Sequence, residues 1–231
     1  RRGEAEAGGY TVVEPQTVLS THLMETTRRH AADLLSRQAT RDLLDGLRET
    51  NPALVEDVVP NKVPLGTVHR VLQRLLREQI PIRDLVTILE TLSDAGESIK
   101  DVEALTEHVR RSLSMVITQA LGGTETPIRA ITIGPKLEIA LMNLLSPRSQ
   151  EEKQILEPEQ LGRLVERLPE IVRMNTTDGR SPALITPPAL RLGVRKIVQP
   201  TLPRLPVVSL AELPAQAPIE PLAVWELENA A

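Results

Sequence analysis

The 231-residue sequence contains no cysteine, no phenylalanine, one tryptophan and one tyrosine. Without cysteine there is no disulfide, no thiolate nucleophile and no Cys-based zinc site. The near-absence of aromatic rings removes the faces on which bases and sugars are usually stacked. It leaves the core to Leu, Ile, Val and Ala. No stretch approaches the ~20 uninterrupted apolar residues that cross a bilayer, and no secretory signal is visible. Net charge is −4 with acids and bases interleaved, so the basic stripe of a dedicated nucleic-acid binder is missing. The sequence starts at Arg1 without Met, which reads as a fragment of a longer protein.

What is present is a globular composition, 41% hydrophobic and 25% charged, in a length that suits one large domain or two ordinary ones. The pattern predicts a mixed fold: a helical bundle subdomain followed by a small α/β subdomain. Residues 1–16 read as a leader (RRGEAEAGG) and the end of an upstream α/β subdomain, with YTVV at 10–13 a strand-like run. Residues 17–121 read as the bundle. TVLSTHLMETTRRHAADLL offers an apolar helical face through Val18, Leu23, His30 and Leu34. Leu43, Leu44 and Leu47 form the next face, and Asn51–Pro52 reads as an N-cap with proline at the first helical position. Pro64 opens a helix whose stripe is Leu65, Val68, Leu72, Leu75 and Leu76, with Arg74 spaced to pair with Glu78.

The stretch REQIPIRDLVTILETLSDAG, 77–96, predicts a sharply bounded helix. Pro81 stands at its first position, Asp84 in its first turn and Gly96 at its end. Its stripe is Ile82, Leu85, Ile88, Leu89 and Leu92, and truncating a buried Leu85 or Leu89 to Ala would cost about 2–5 kcal/mol. Asp101 caps the last bundle helix, which turns Val102, Leu105, Val109, Leu113 and Val116 inward. Short connections force such helices to pack as neighbours.

Residues 122–128 read as a linker and 129–231 as the α/β part. RAITI (129–133), PALIT (182–186), LPVVSL (205–210) and LAVWELE (222–228) are strand candidates. PKLEIALMNLL, EPEQLGRLVERL and PPALRLGVRKIVQ are helices, the second expected to kink or stop at Leu168–Pro169. PALIT and LPVVSL around one helix make a minimal parallel βαβ unit.

The search for chemistry finds no catalytic, cofactor or metal site. His22 and His30 share a helical face but lie ~12 Å apart along the axis, and His69 and His108 have no HExxH-type partner. TTDGRS lacks a nucleophile elbow, and Gly122–Gly123 is followed by no GK[ST]. Glu151–Glu152 read as solvated. A helix-turn-helix over 64–95, with Arg70, Arg74, Arg77 and Arg83, is opposed by Glu78, Asp84, Glu90 and Asp94. A regulator or a hydrolase-like α/β domain are the rival readings.

The blocks YTVVEPQTVLSTHL, RRHAADLLSRQATRDLLDGL, LVEDVVPNKVPLGTVHRVLQRLLREQIPIRDLVTILETL, ALTEHVRRSL, SPALITPPALR, LPRLPVVSLAEL and IEPLAVW occur in that order. They resemble the C-terminal cytoplasmic region of the type III secretion export-gate family, leaning to its flagellar branch. The resemblance covers nearly the whole chain from Tyr10. It implies a parent anchored in the bacterial inner membrane, a cytoplasmic part of four subdomains, and a nine-membered ring below the export channel. It further implies docking of export substrates and their chaperones, contacts with other export-apparatus proteins, no catalysis, no cofactor and no nucleic acid. Within this family Tyr10, Thr11, Val12 and Thr17 would belong to a segment walling a chaperone groove. Tyr10, Val12 and Val13 equally suit the core of the first subdomain. Arg83, Asp84 and Glu90 are candidates for ring contacts. The sequence departs from many relatives at Gly134, where a capping Asp is expected before Pro135.

Overall fold

The computed structural model describes residues 8, 12–123, 126–145, 156–177 and 179–227. The strand expected at 10–13 is not formed where it can be followed: Val12 and Val13 have no regular structure, and Tyr10 and Thr11 lie outside the described residues. Helix α1 (Pro15–Arg29) follows, started by proline in its first turn. It buries none of its residues. Val18, Leu23 and, beyond the helix, Leu34 are 54%, 64% and 64% exposed, so the expected inward face does not pack.

The bundle continues through α2 (Ala31–Leu34), α3 (Arg37–Arg48) and α4 (Pro52–Asp57). It then passes a wide turn (Val58–Lys62) into α5 (Leu65–Arg77), α6 (Leu85–Ala95), α7 (Val102–Ser112) and α8 (Ser114–Ala120). Ser36 and Asp101 cap α3 and α7 by accepting from the N–H groups of Ala39 and Ala104. Asn51 stands before Pro52, but its side chain does not cap. On α3 Leu44 is buried whereas Leu43 is 38% exposed, because the stripe that meets α5 is narrower than the run of leucines. Val71, absent from the expected stripe, is fully buried on α5 beside Val68, Leu72 and Leu75.

Two local expectations are overturned at α6. Pro81 is not its first residue. The chain has no regular structure through Pro81, Ile82 and Arg83, and Asp84 is the N-cap, accepting from the Thr87 N–H at 3.1 Å. The reason lies one helix earlier. α5 ends in a Schellman motif, with Ile80 N–H bonded to Leu75 O and Gln79 N–H to Leu76 O. Gln79 takes the left-handed conformation (φ 59°) that this ending requires, and Ile80 is then buried. A chain leaving that motif needs further residues to turn into a new helix. Leu89 is fully buried and Leu85 only half-buried. Leu89→Ala is therefore expected to lower the unfolding free energy by about 2–5 kcal/mol and Leu85→Ala by clearly less, as urea titration would report. Gly96 ends α6 at φ −69°, and any Cβ there would collide with Val63 and the Leu92 carbonyl.

The second half is β1 (Ile128–Ile133), α9 (Pro135–Leu145), α10 (Pro158–Met174), β2 (Ala183–Thr186), α11 (Arg191–Val198), β3 (Val207–Ser209), a 3-10 turn (Leu210–Glu212) and β4 (Ile219–Trp225). The strands form one parallel sheet in the order β3-β2-β1-β4. Period-two alternation divides its residues between two cores. Ile128, Ala130, Ala183, Ile185 and Val208 face the bundle and complete its core. Ile131, Leu184 and Val207 face the other way, into a core with Leu137, Leu141, Leu168 and Trp225. Burial on both faces is the usual state of a parallel sheet.

The early stop expected at Leu168–Pro169 does not occur: α10 continues as helix to Met174. At α9 the capping carboxylate that Gly134 cannot supply arrives from the far end of the sequence: Glu226 accepts from Lys136 N–H (3.3 Å) and Leu137 N–H (2.8 Å). A Cβ at position 134 would occupy the place of that carboxylate. Glu226→Ala should therefore cost about 0.5–2 kcal/mol, the usual worth of an N-cap. Thermal melts would show it, and an unchanged melting temperature would mean that the long-range cap contributes nothing.

Candidate functional site

Where the sheet meets the bundle, six charged side chains are packed together. Glu78 is the residue after α5; Glu107 and Arg110 stand on α7; Arg191 and Arg195 stand on α11; Glu212 ends the 3-10 turn. Arg110 donates from Nε to Glu212 Oε1 at 2.5 Å, from Nη2 to Glu212 Oε2 at 3.1 Å and from Nη1 to Glu78 Oε2 at 2.9 Å. Arg191 donates to the same Glu78 oxygen at 2.7 Å and holds both oxygens of Glu107. Arg110, Arg191 and Glu212 side chains are 2%, 1% and 1% exposed. Three arginines meet three glutamates, so the cluster is neutral. Such burial is tolerable only when charges are matched and hydrogen-bonded.

The local sequence builds this in steps. Arg191 and Arg195 are four apart on α11, beside the buried Leu190, Val194 and Val198. Glu107 and Arg110 are three apart on α7. Glu212 is fixed by a capping box with Ser209, whose N–H it accepts at 2.8 Å. The Schellman ending of α5 aims Glu78 at the arginines.

Burial alone would raise the Glu78 carboxyl, but Arg110 and Arg191 outweigh it and hold it below the ordinary value of 4.5. Burial pushes the Glu107 carboxyl up. Burial also works against the charge on Arg191, yet Glu78 and Glu107 hold its proton more firmly than usual. Arg195 is pushed down: burial, aided by Arg191 and Arg110, outweighs Glu78, which favours its charge. Because the folded pKa of Glu78 is depressed, its contribution to stability is present above about 4.5 and is lost as pH falls through the lower folded value. Acid unfolding should accordingly be less steep in Glu78→Gln, whose stability starts lower, than in the parent. Parallel acid limbs in urea titrations at successive pH values would contradict this.

The Arg74–Glu78 pair expected within α5 is not made. Arg74 instead reaches Glu103 at 3.0 Å, and Lys196 meets the other oxygen of Glu103. Beside the cluster a cavity of about 220 Å³ lies between Arg28 at the end of α1, the 78–81 turn and the 203–208 loop.

Of the residues singled out from the sequence, Tyr10 and Thr11 lie outside the described residues, and Val12 is half-buried. Thr17 is exposed on α1, and Arg83, Asp84 and Glu90 are exposed around α6, with Asp84 engaged as the cap. Thr17 and Glu90 thus stand on different helices. Glu151–Glu152 also lie outside the described residues, while Thr177 and Arg180 close a turn by an antiparallel bridge. His69 is a packed histidine, its Nδ1 2.9 Å from Thr40 Oγ1. The buried cluster was not anticipated. The one sequence signal for it is the pair of arginines at 191 and 195 bordering an apolar stripe.

No helix among the described residues is long and apolar enough to cross a membrane. A model of the FHIPEP family matches residues 1–218. Among curated relatives, "Flagellar biosynthesis protein FlhA" of Bacillus subtilis is 33% identical over 98% of this chain, and that of Escherichia coli 38% over 91%. The chain spans about a third of their length, 33% and 30%. Among solved structures, the Chlamydia pneumoniae CdsV and CdsO protein complex contains a chain 27% identical, with a TM-score of 0.79 over 96% of this chain and 65% of that one. The nonameric EscV cytosolic domain from the type III secretion system is 27% identical, with a TM-score of 0.69 over 84% of this chain and 57% of the other. With the family model covering nearly the whole length and these relatives agreeing in fold, the chain belongs to the FHIPEP family.

Proposed function

We propose that the chain is part of the cytoplasmic portion of a protein export gate, and that it docks proteins and assembles into a ring rather than performing catalysis. On this reading the parent sits at the cytoplasmic face of the bacterial inner membrane. Its partners are export substrates, their chaperones and other export-apparatus proteins, with no nucleic acid and no cofactor. The observation that carries the reading is the kinship with a cytosolic domain solved as a nonamer and with a chain of a solved two-protein complex. The surface of the chain is consistent with it: α1 leaves Leu19, Leu23 and Met24 at 69%, 64% and 70% exposure on a helix with no buried residue.

Within this reading, residues 17–121 and 129–231 act as two subdomains joined at 122–128, after an end of an upstream subdomain at 1–16. Tyr10, Thr11, Val12 and Thr17 contribute to a docking groove, and Arg83, Asp84 and Glu90 to ring contacts. Light scattering across a concentration series, with and without a flagellar chaperone–substrate pair, tests it. Mass above the monomer that falls in an Arg83→Ala/Glu90→Ala variant supports ring contacts in this chain. A monomer at every concentration that ignores the pair removes both functions from these residues.

A further inference from the structure

The cavity beside the buried cluster has an unbalanced lining. Arg28, Arg110, Arg195 and Arg204 border it against one acid, Glu78. That carboxylate already serves Arg110 and Arg191, and Arg110 is further satisfied by Glu212. Arg195 is different. Its terminal nitrogens donate to the carbonyls of Leu205 (3.0 Å) and Pro203 (2.9 Å), which are neutral acceptors. Its Nε is buried without a hydrogen-bond partner, 3.9 Å from Glu78, in a residue only 5% exposed. At the rim, Arg204 stands 3.6 Å from Glu25, and Arg28 is exposed in the last turn of α1. The rest of the lining is apolar, including Ile80, Ile117, Leu121 and Leu205.

Arg195 is charge-matched by Glu78 within the neutral cluster, so the surplus positive charge of the lining stands at the rim, on the exposed Arg28 and Arg204, where it suits a carboxylate. The volume and apolar lining call for more than an ion. About 220 Å³ is several times the ~30 Å³ share of one water, and a bare anion would leave the apolar lining wet. We propose that this cavity docks an acidic peptide segment of a partner protein. An Asp or Glu carboxylate binds between Arg28 and Arg204 at the rim, with Arg195 beneath it as the nearest buried guanidinium, and a neighbouring aliphatic side chain covers Ile80 and Leu205. The proposal rests on the docking function above and deepens it by giving one partner its chemistry.

The test uses the whole chain and two blocked tetrapeptides, Leu-Glu-Ile-Glu and Leu-Gln-Ile-Gln, with sodium acetate and sodium phosphate as bare-anion probes. Binding is followed by NMR of the arginine Nε–H signals. The glutamate peptide is expected to shift the Arg195 signal saturably, and the glutamine peptide to bind at least about tenfold more weakly. Arg28→Gln/Arg204→Gln alters only exposed side chains, so it retains the fold while weakening the glutamate peptide by about tenfold or more. Equal binding of the two peptides, or undiminished binding by the double variant, overturns the proposal. So does acetate or phosphate binding as tightly as the peptide, which would make this an adventitious anion site. Ring assembly does not enter this titration, so its failure is separable from failure of the docking and assembly reading, which the mass measurement reports.

Discussion

Glu212→Gln should lower the unfolding free energy by about 3–5 kcal/mol, the cost of leaving a buried charge without its partner. The substitution keeps the shape of the side chain and removes one negative charge from a neutral set of six. Arg110 is 2% exposed and cannot recover water. Its other acid, Glu78, is shared with Arg191, so the excess positive charge has no local remedy. Protonation gives no escape either, because arginine keeps its proton in any folded protein. The measurement is urea unfolding followed by Trp225, the single tryptophan in the sequence. A second variant separates charge imbalance from lost packing. Arg110→Met/Glu212→Leu removes one charge of each sign and leaves Arg191 and Arg195 with Glu78 and Glu107. It should regain most of the loss, since matched buried pairs replaced by apolar residues of similar volume are often neutral or stabilising. If the losses of Arg110→Met and Glu212→Leu simply add, the two residues are not coupled and the cluster does not act as a unit.

The same cluster shows where the sequence ceases to be informative. Helix positions are local, and most were legible: α9 falls on PKLEIALMNLL, Asp101 caps α7, and PALIT and LPVVSL form the parallel pair around α11. Partner choice is not local. Arg74 and Glu78 have the right spacing to pair, yet Glu78 is drawn to Arg110 and Arg191, residues 32 and 113 positions away. Two fixed, desolvated guanidinium groups outweigh an i,i+4 pairing, which contributes only ~0.2–0.5 kcal/mol, and Arg74 is itself held by Glu103. Gly134 teaches the same lesson, because its missing cap is supplied by Glu226 at the end of β4. α1 is the opposite case. Its helical character is written in the sequence, but burial requires a facing surface, and no described residue of the molecule covers Leu19, Leu23 or Met24. The proposed contact residues have a similar status: exposure at Arg83 and Glu90 follows from a charged face, but its use depends on another chain.

Trp225→Ala should cost about 3–5 kcal/mol, as loss of a fully buried large aromatic side chain does, and it should loosen α10 in particular. Trp225 closes β4 at 1% exposure, in the core between the sheet and α9, α10 and α11. Its indole N–H donates to the Leu164 carbonyl of α10 at 3.0 Å. That bond lies near the proline that weakens the helix. Pro169 has no N–H to give the carbonyl of Val165, and a proline so deep in a helix ordinarily kinks or ends it. α10 persists because both sides of the proline are held from outside the helix: before it, Leu164 by the indole and Leu168 by the core, and after it, Ile171 and Val172, half-buried against the same core. Trp225→Phe retains most of the apolar area and removes the bond. It should cost ~0.5–1.5 kcal/mol, the usual net worth of one hydrogen bond, because the Leu164 carbonyl still accepts from the Leu168 N–H within the helix. Hydrogen exchange distinguishes this account from a general loss of packing. Amides of residues 170–174 should lose protection in Trp225→Phe before those of α9 do. Uniform loss across both helices would mean that the indole hydrogen bond has no special part in carrying the helix past Pro169.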